Sequence, residues 1–265
     1  MALEHHSNHK MRFDQQVDNS LNYVLPFIEK TLAIKSGTKI LEIGCGEGGV
    51  LKPFIDRDCA CLGVDLDKIR IELAHNFLQN EIASNKSNFL LKNVYDDDFQ
   101  TKYKNYFDLI ILKDVIEHIP NQNDFIPFLK ILLNENGQIF FGFPPWYMPF
   151  GGHQQVAHKK WTSKLPYYHI LPMPIYKAIL KLAGENKDKI TELVEIKECG
   201  ITIEKFERIA KASGFNIINK QWFLINPIYK FKFGLKPRKQ FWLFGGIPFV
   251  RNFLTTCAYY TIQKH

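Results

Sequence analysis

The sequence predicts an α/β fold with a mostly parallel sheet that carries helices on both faces. Short apolar runs alternate with stretches of helical period between residues 39 and 142, closely spaced glycines follow the first run, and two more strand-like runs occur near the C-terminus. Such alternation is typical of βαβ units. The 265 residues, 46% of them hydrophobic, suffice for one domain with a full core and an insertion. Disordered, collagen-like and disulfide-stapled proteins are excluded.

The first half of the chain contains five predicted strands and the helices between them. The strands are expected at residues 39–43, 60–64, 88–92, 107–112 and 138–142. Helices are expected near residues 49–56, 67–83 and 123–133, with another at about 19–32 before the first strand. The dipeptide Asn136-Gly137 predicts a turn directly before the fifth strand.

The chain divides into four predicted segments. Residues 1–18 predict a flexible leader, whose start, MALEHHSNHK, lacks the apolar core of a signal peptide. Residues 19–143 form the predicted core. Residues 144–200 are rich in proline and aromatic residues and indicate an inserted subdomain or lid. Residues 201–265 complete the core with a helix at 202–213 and strands at 215–224 and 258–263, separated by a basic, aromatic-rich insertion.

The basic residues of the chain are unevenly distributed. The formal net charge is +7, yet all 27 acidic residues lie at or before Glu207, together with 24 of the basic residues. Residues 208–265 carry ten basic residues and no acid, interleaved with aromatic residues. This mixture suits an anionic membrane surface or a single-stranded nucleic acid. The alternative is a hydrophobic C-terminal core whose lysines are merely solvated.

Cysteine usage and hydropathy indicate the compartment. The five cysteines match neither disulfide nor zinc spacing. No run reaches 18 uninterrupted apolar residues, so no membrane-spanning helix is expected. We therefore expect a cytoplasmic location, with membrane association if the C-terminal region binds lipid, and no bound metal.

The strongest chemical signal is a glycine-rich loop after the first predicted strand, ILEIGCGEGG at residues 40–49. Closely spaced glycines permit a tight turn and let a ligand approach the backbone. Gly44, Gly46 and Gly49 also satisfy the G-x-G-x-x-G pattern of dinucleotide-binding proteins. The loop alone therefore does not identify its ligand.

Two carboxylates narrow the choice of ligand. Glu42 lies on the first predicted strand, where a buried carboxylate is costly without a partner. A sulfonium amino acid would supply one, whereas a pyrophosphate would be repelled. Asp65 ends the second strand in LGVD and can accept hydrogen bonds from ribose hydroxyls. The segment FDLIILKDVIEHI at residues 107–119 places further polar groups at the carboxyl edge of the sheet, where α/β proteins bind ligands.

These motifs resemble those of the class I S-adenosylmethionine (SAM)-dependent methyltransferases, of the small-molecule, ubiquinone-methyltransferase-like type. ILEIGCGEGG resembles the first motif of that family, LGVD the second, and FDLIILKDVIEHI the motif of the fourth strand. The resemblance covers about residues 19–142 and, more loosely, residue 202 to the end. It implies a seven-stranded sheet with an antiparallel last strand, and SAM as the cofactor.

The resemblance also implies which residues contact the cofactor. They are Glu42, Gly44, Cys45, Gly46, Asp65, Leu66, Asn93, Val94, Lys113 and Asp114. The glycine loop and Glu42 would line the methionine end, Asp65 the ribose and Leu66 the adenine. Asn93 stands where the family often has an aspartate facing the adenine amine, and an amide oxygen can accept the same hydrogen bond.

Two histidines are candidate general bases for a hydroxyl acceptor, because an imidazole titrates near neutral pH. His118 follows the fourth predicted strand, and His153 follows the fifth in a Gly-x-His pattern that ubiquinone-type O-methyltransferases often carry. The insertion at 144–200 would bind the acceptor. Other polar residues in it are not distinguishable on sequence grounds: Tyr147, His158, Tyr167, Tyr168 and His169.

The sequence thus predicts methyl transfer from SAM to a small, apolar or lipid-linked acceptor, at oxygen. A peripheral membrane contact through the C-terminal region is a further hypothesis. Three alternatives remain open at this point: an NAD(P)-dependent oxidoreductase with the same glycine loop, a nucleic-acid methyltransferase, and a non-catalytic binding protein that keeps the fold. No RNA-binding or zinc motif supports a nucleic-acid partner.

Overall fold

An eight-stranded sheet forms the centre of the computed structural model, which describes residues 8–265. Its strands are β1 (Lys39–Ile43), β2 (Ala60–Asp65), β3 (Ser87–Leu91), β4 (Phe107–Lys113), β5 (Leu133–Phe143), β6 (Phe215–Ile225), β7 (Arg238–Lys239) and β8 (Cys257–Lys264). They lie in the order β3-β2-β1-β4-β5-β8-β6-β7. The first five strands are parallel, and β8 runs antiparallel between β5 and β6. The predicted α/β fold is confirmed.

The sheet differs from the prediction in two places. It has eight strands in the described residues rather than seven, because two residues of the basic insertion, β7, pair antiparallel with β6. The predicted turn at Asn136-Gly137 is wrong, since both residues lie within β5. The register between β4 and β5 shifts there, and a Cβ on Gly137 would lie 2.8 Å from the Phe107 carbonyl oxygen. The dipeptide is therefore part of an irregular, bulged stretch within the strand.

Helices cover both faces of the sheet. They are α1 (His9–Asn19), α2 (Leu25–Ile28), α3 (Lys52–Ile55), α4 (Lys68–Phe77), α5 (Gln79–Ala83), α6 (Asp97–Lys102), α7 (Gln122–Phe128), α8 (Lys160–Lys164), α9 (Met173–Leu182), α10 (Lys187–Cys199), α11 (Ile203–Ala212), α12 (Tyr229–Phe233), α13 (Trp242–Gly245) and α14 (Val250–Leu254). A π-helical turn, Ser20–Val24, joins α1 to α2. Thr202 caps α11 as the sequence predicts, accepting a hydrogen bond from Lys205 N.

The hydrophobic core lies in two layers, one on each face of the sheet. Neighbouring residues of β5 alternate between them: Phe141 packs in the layer that contains α11, and Phe140 packs in the layer that contains α1 and α2. Strands buried on both faces must be apolar throughout, which explains the unbroken apolar runs in the sequence.

Truncating Phe206 should destabilise the protein strongly. Its ring is fully buried on α11, with its centroid 4.9 Å from that of Phe141 and 4.7 Å from that of Tyr260. Replacing a buried phenylalanine by alanine leaves a cavity and costs about 3–5 kcal/mol of unfolding free energy. We expect a loss of this size for Phe206→Ala in denaturant unfolding. The exposed Leu182 is the control, and an equal loss in Leu182→Ala would contradict the packing described here.

The N-terminal segment requires a correction. Residues 1–7 of the predicted leader lie outside the described residues, but residues 9–18 belong to α1 and are not a flexible leader. Phe13 of α1 is buried, and the Arg12 guanidinium binds the carboxylate of Glu47, which is fully buried in the glycine-rich segment. The core thus extends further towards the N-terminus than predicted, because α1 packs on it.

The insertion at 144–200 contains α8, α9 and α10 and has a small hydrophobic cluster of its own. Its buried members are Tyr168, Tyr176, Leu180, Leu193 and Val194. Between β6 and β8, a second excursion contains α12, β7, α13 and α14. None of the helices described over residues 8–265 is long and apolar enough to cross a membrane.

Candidate active site

The glycine loop turns sharply at the carboxyl end of β1. Gly44 and Gly46 have φ angles of +69° and +53°, a region that favours glycine. A Cβ on Gly44 would lie 2.6 Å from Val115 Cγ2, so a larger residue would displace the loop that follows β4. The two loops are therefore packed against each other where the predicted site should lie.

Asp65 holds this loop from the end of β2. One carboxylate oxygen accepts a hydrogen bond from Gly46 N at 2.8 Å, and the other accepts one from Asp67 N at 2.9 Å. Each carboxylate oxygen can accept a second hydrogen bond. The side chain thus fixes the loop and keeps acceptor capacity for a ligand.

A cavity of about 600 Å³ lies at the carboxyl ends of β1, β2 and β4. Seven residues predicted to form the active site line it: Gly44, Asp65, Leu66, Asn93, Val94, Asp114 and His118. Leu66 lines this cavity with 72% of its surface exposed, so its side chain is free to pack against a ligand. Asn93 has its amide oxygen engaged with Tyr95 N at 3.0 Å, which leaves one acceptor position on that oxygen.

The other predicted cofactor residues lie behind the cavity wall. Cys45 is buried under the loop, and burial raises the pKa of its thiol. Lys113 is also buried and pairs with the Asp114 carboxylate. Gly46 contributes its N–H to Asp65 and has two guanidinium groups nearby, those of Arg12 and Arg70. These residues shape the site from outside the cavity surface.

Glu42 is buried on β1 beside this region. Burial raises the pKa of its carboxyl well above the usual range, the nearby Asp65 raises it further, and Lys113 partly opposes both. Its Oε2 has no hydrogen-bond partner among the described residues. A buried carboxyl with an unused oxygen would gain from a cation placed next to it.

A second cavity of about 180 Å³ adjoins the first, and Asp114 lines both. Its wall comes from the loop after β4, the insertion and the excursion between β6 and β8. The lining residues are Asp114, Glu117, Pro144, Met148, Phe150, His153, Gln155, Val156, Asn226, Ile228, Tyr229, Lys232 and Thr256. Two of its residues, Asp114 and His153, have positive φ angles of 57° and 53°, which are sparsely populated for residues other than glycine.

The two predicted histidines meet between these cavities. The ring of His118, on the side of the first cavity, lies edge-to-face with that of His153, with 4.7 Å between centroids. His153 Nε2 lies 3.8 Å from Glu117 Oε1. Desolvation lowers the pKa of the exposed His118 imidazole and, together with the neighbouring His118, lowers that of the partly buried His153 to about 3, so both are neutral at pH 7. Burial and Asp114 raise the pKa of the Glu117 carboxyl.

These three side chains also form a candidate metal centre, which the sequence analysis did not expect. Their ligand atoms all lie within 4.8 Å of one another. Neither oxygen of the buried Glu117 has a hydrogen-bond partner among the described residues. Two imidazoles and a carboxylate are donors that divalent metals accept. No short-range spacing motif marks them, since His153 reaches the other two only through the fold.

The structure distinguishes between polar residues of the insertion that the sequence alone could not rank as site candidates. His158 pairs with Glu185 at 2.7 Å, and the buried His169 binds Gln154 and the Trp146 carbonyl, so both have structural roles. Residues that sequence reasoning missed are Arg70 and Tyr95 in the first cavity, and Tyr229 and Lys232 in the second. Arg70 and Tyr95 closely follow Asp65 and Asn93, but the other two come from a segment without a recognised motif.

Comparison with known proteins identifies the family. The profile of a family described as "Methyltransferase domain" matches residues 11–220, which is most of the chain. The chain belongs to the class I SAM-dependent methyltransferases. This confirms the family resemblance of the sequence motifs. The members of this family take their methyl group from SAM, and an oxidoreductase is no longer favoured for this methyltransferase chain.

Curated relatives of this methyltransferase match only part of it. A ubiquinone biosynthesis O-methyltransferase from Coxiella burnetii is 26% identical over 117 residues, 44% of this chain and 47% of the relative. A protein of the same name from Glaesserella parasuis is 29% identical over 108 residues, 39% of this chain and 44% of the relative. The chain thus spans about half the length of the curated relatives it matches.

Solved structures resemble this methyltransferase over almost its whole length. Geranyl diphosphate C-methyltransferase from Streptomyces coelicolor aligns over 91% of this chain and 80% of its own, with a TM-score of 0.57 and 12% identity. Phosphoethanolamine N-methyltransferase 2 from Haemonchus contortus aligns over 96% and 56%, with a TM-score of 0.56 and 15% identity. At these identities the likeness concerns the fold.

Proposed function

We propose that this protein transfers the methyl group of SAM to an oxygen atom of a small acceptor with an apolar or lipid-linked body. One observation carries the proposal: the cavity lined by the predicted cofactor residues adjoins a second cavity that contains His153 and Glu117, and Asp114 lines both. A donor site that opens directly onto an acceptor site is what a methyl transfer requires.

The first cavity suits SAM by its donor and acceptor groups. Asp65 would bind the ribose hydroxyls, Leu66 would pack on the adenine, and Asn93 and Val94 would lie at its edge. Glu42 would offset the positive charge at the methionine end, and a cation placed there would oppose the effect of burial on its pKa. When bound, SAM supplies a methyl group already activated by a sulfonium. The protein therefore has to position the acceptor and remove its proton.

The histidine pair would remove that proton. The imidazole of His153 is neutral, lies in the second cavity and can accept the proton of an acceptor hydroxyl. The oxygen would then be free to attack the methyl group that SAM supplies, with the sulfonium sulfur as the leaving group. The ammonium of Lys232 in the same cavity would favour the oxyanion that develops. His118 lies beside His153 and would position it.

A divalent metal would fit the same cluster. Glu117, His118 and His153 would hold it, and it would lower the pKa of an acceptor hydroxyl as a Lewis acid.

The apolar character of the acceptor is inferred from the second cavity. Met148, Phe150, Val156 and Ile228 contribute apolar surface to its wall. A lipid-linked acceptor would reach the site from a membrane, which agrees with the peripheral membrane contact predicted from the sequence.

The proposal is tested by methyl transfer from isotope-labelled SAM to a panel of acceptors, followed by mass spectrometry of the products. We expect label on an apolar phenol or diphenol, and none on amines or on nucleic acid. Label on amines alone, or on RNA, would overturn the choice of oxygen and of acceptor class.

The acid limb of the rate profile should lie below pH 6.5. A general base is active when unprotonated, and the pKa of His153 is lowered to about 3 in the folded protein. The base therefore keeps its active form as the pH falls through 6.5, where an unperturbed histidine would gain a proton. We expect kcat to stay constant from pH 8 to below 6.5. A loss of kcat centred at or above pH 6.5 would contradict this environment for His153.

A further inference from the structure

Exposed large apolar residues are concentrated in the excursion between β6 and β8. Ten of its large apolar residues between 233 and 253 are exposed, in a protein where 24 such residues are exposed over the described chain. Trp242 exposes 87% of its surface and Phe249 exposes 63%. Isolated exposed apolar residues are ordinary, but such a concentration marks an interaction surface. We call residues 233–253 the apolar excursion.

The backbone of the apolar excursion has an unusual conformation at Phe249. Phe249 has a φ of +63°, which is unfavourable for a residue with a bulky side chain. Its N–H donates to Glu204 Oε1, and the neighbouring Arg251 and Asn252 also bind Glu204. This network anchors the excursion to α11 and holds the Phe249 ring in solvent.

Unpaired cations flank the apolar residues. Lys236, Arg238 and Lys239 are exposed, and none of them has an ion-pair partner among the described residues. The chain has no acidic residue after Glu207, so nothing in the C-terminal segment can neutralise them. A partner for this surface must accept tryptophan, phenylalanine and aliphatic side chains together with positive charge.

We propose that the apolar excursion docks on an anionic lipid surface. Aromatic and aliphatic side chains would enter the acyl boundary, while Lys236, Arg238 and Lys239 bind the headgroups. A nucleic acid would satisfy the cations but offers nothing to the aliphatic Leu235, Leu243 and Ile247. A second copy of the chain would bring the same unpaired cations face to face.

The apolar excursion contacts the insertion, which also contributes to the wall of the second cavity. Phe253 stacks on Tyr147 of the insertion with 5.2 Å between centroids, and its carbonyl accepts a hydrogen bond from Tyr167. Tyr229 and Lys232, which precede the apolar excursion, line the second cavity. The role of the surface in delivering a lipid-phase acceptor rests on the proposed function, whereas the docking itself does not.

Vesicle flotation tests the docking, with phosphatidylcholine vesicles alone or mixed with phosphatidylglycerol. We expect the protein to float with the anionic vesicles, weakly with the neutral ones, and less as salt is added. Trp242→Ser with Phe249→Ser, and separately the triple variant Lys236→Glu, Arg238→Glu, Lys239→Glu, should each lower the apparent affinity by roughly tenfold or more.

Two matched controls test whether the effect on flotation is specific to the apolar excursion. Leu182→Ser removes an 86% exposed apolar side chain from the insertion. The triple variant Lys68→Glu, Lys102→Glu, Lys104→Glu changes the same charge near the β3 edge, at the other end of the sheet from β6. Both should float like the parent. Equal loss in the controls, or flotation independent of lipid charge, would overturn the proposal.

Two other measurements distinguish the remaining outcomes. Analytical ultracentrifugation that finds a dimer broken by the Trp242 variant, or RNA binding that replaces vesicle binding, would assign the surface to a different partner. Asp65→Ala should float like the parent although it fails to bind SAM. If the parent protein floats as expected but transfers no methyl group, the proposed function is refuted and the docking proposal stands.

Discussion

Asp65→Ala should lose SAM binding almost completely. The carboxylate would accept hydrogen bonds from two ribose hydroxyls, and it already fixes the glycine loop through Gly46 N. Hydrogen bonds to a charged group contribute about 1.5–3 kcal/mol each, so we expect Kd to rise by roughly 10²–10⁴-fold. Isothermal titration with SAM and with S-adenosylhomocysteine would measure it. NADH should not bind the parent protein.

Two further variants test whether a loss of SAM binding in Asp65→Ala is caused by unfolding. Asp65→Asn retains the shape and an acceptor oxygen, and should weaken SAM binding by less than the alanine variant. Asp108→Ala is the matched control, because Asp108 also accepts a backbone N–H, from Lys39, but at the opposite end of the strands. If Asp65→Ala binds SAM as tightly as the parent, the cofactor site has been misplaced.

His153→Ala should lower kcat by about 10²–10⁴-fold, the contribution of a positioned general base. SAM binding should stay unchanged, because His153 lines the second cavity and not the first. Glu117→Gln should lower kcat as well, since it removes the carboxylate 3.8 Å from His153. His158→Ala is the control, a histidine of the same insertion that pairs with Glu185.

Metal chelation distinguishes between the two proposed roles of Glu117, His118 and His153, which are general-base catalysis and metal binding. If His153 acts as a base alone, the rate should be the same with EDTA as with added Mg²⁺. If the cluster holds a metal, EDTA should abolish the rate, and His153→Ala should also lower metal affinity. A His153→Ala variant with full activity under both conditions would remove the cluster from the mechanism.

The sequence predicted the sheet well because its strands are buried on both faces. The apolar runs of β1, β2 and β4 are bounded by glycine or polar residues, so their limits agree with the structure to within one residue. Asn136-Gly137 misled the prediction, because a dipeptide that favours a turn also accommodates a bulge. The helix at residues 9–19 was missed, since α1 has a mostly polar sequence and is held by Phe13 and the Arg12–Glu47 pair.

Residues of the candidate site could be predicted where they lie next to a strand end, but not where the fold brings distant segments together. Gly44, Asp65, Leu66 and Asn93 each lie at or just beyond the end of a strand, and parallel strands bring their carboxyl ends to one edge. The contact of His153 with His118 and Glu117 joins distant segments, so no spacing reveals it. Tyr229 and Lys232 enter the second cavity through an excursion whose sequence indicated a surface and not a site.

A crystal structure with S-adenosylhomocysteine tests the central claim most directly. The proposed function predicts the ribose on Asp65, the adenine on Leu66, and the sulfur directed past Asp114 towards His118, His153 and Glu117. A ligand whose sulfur faces away from the second cavity, or whose ribose lies far from Asp65, would contradict it.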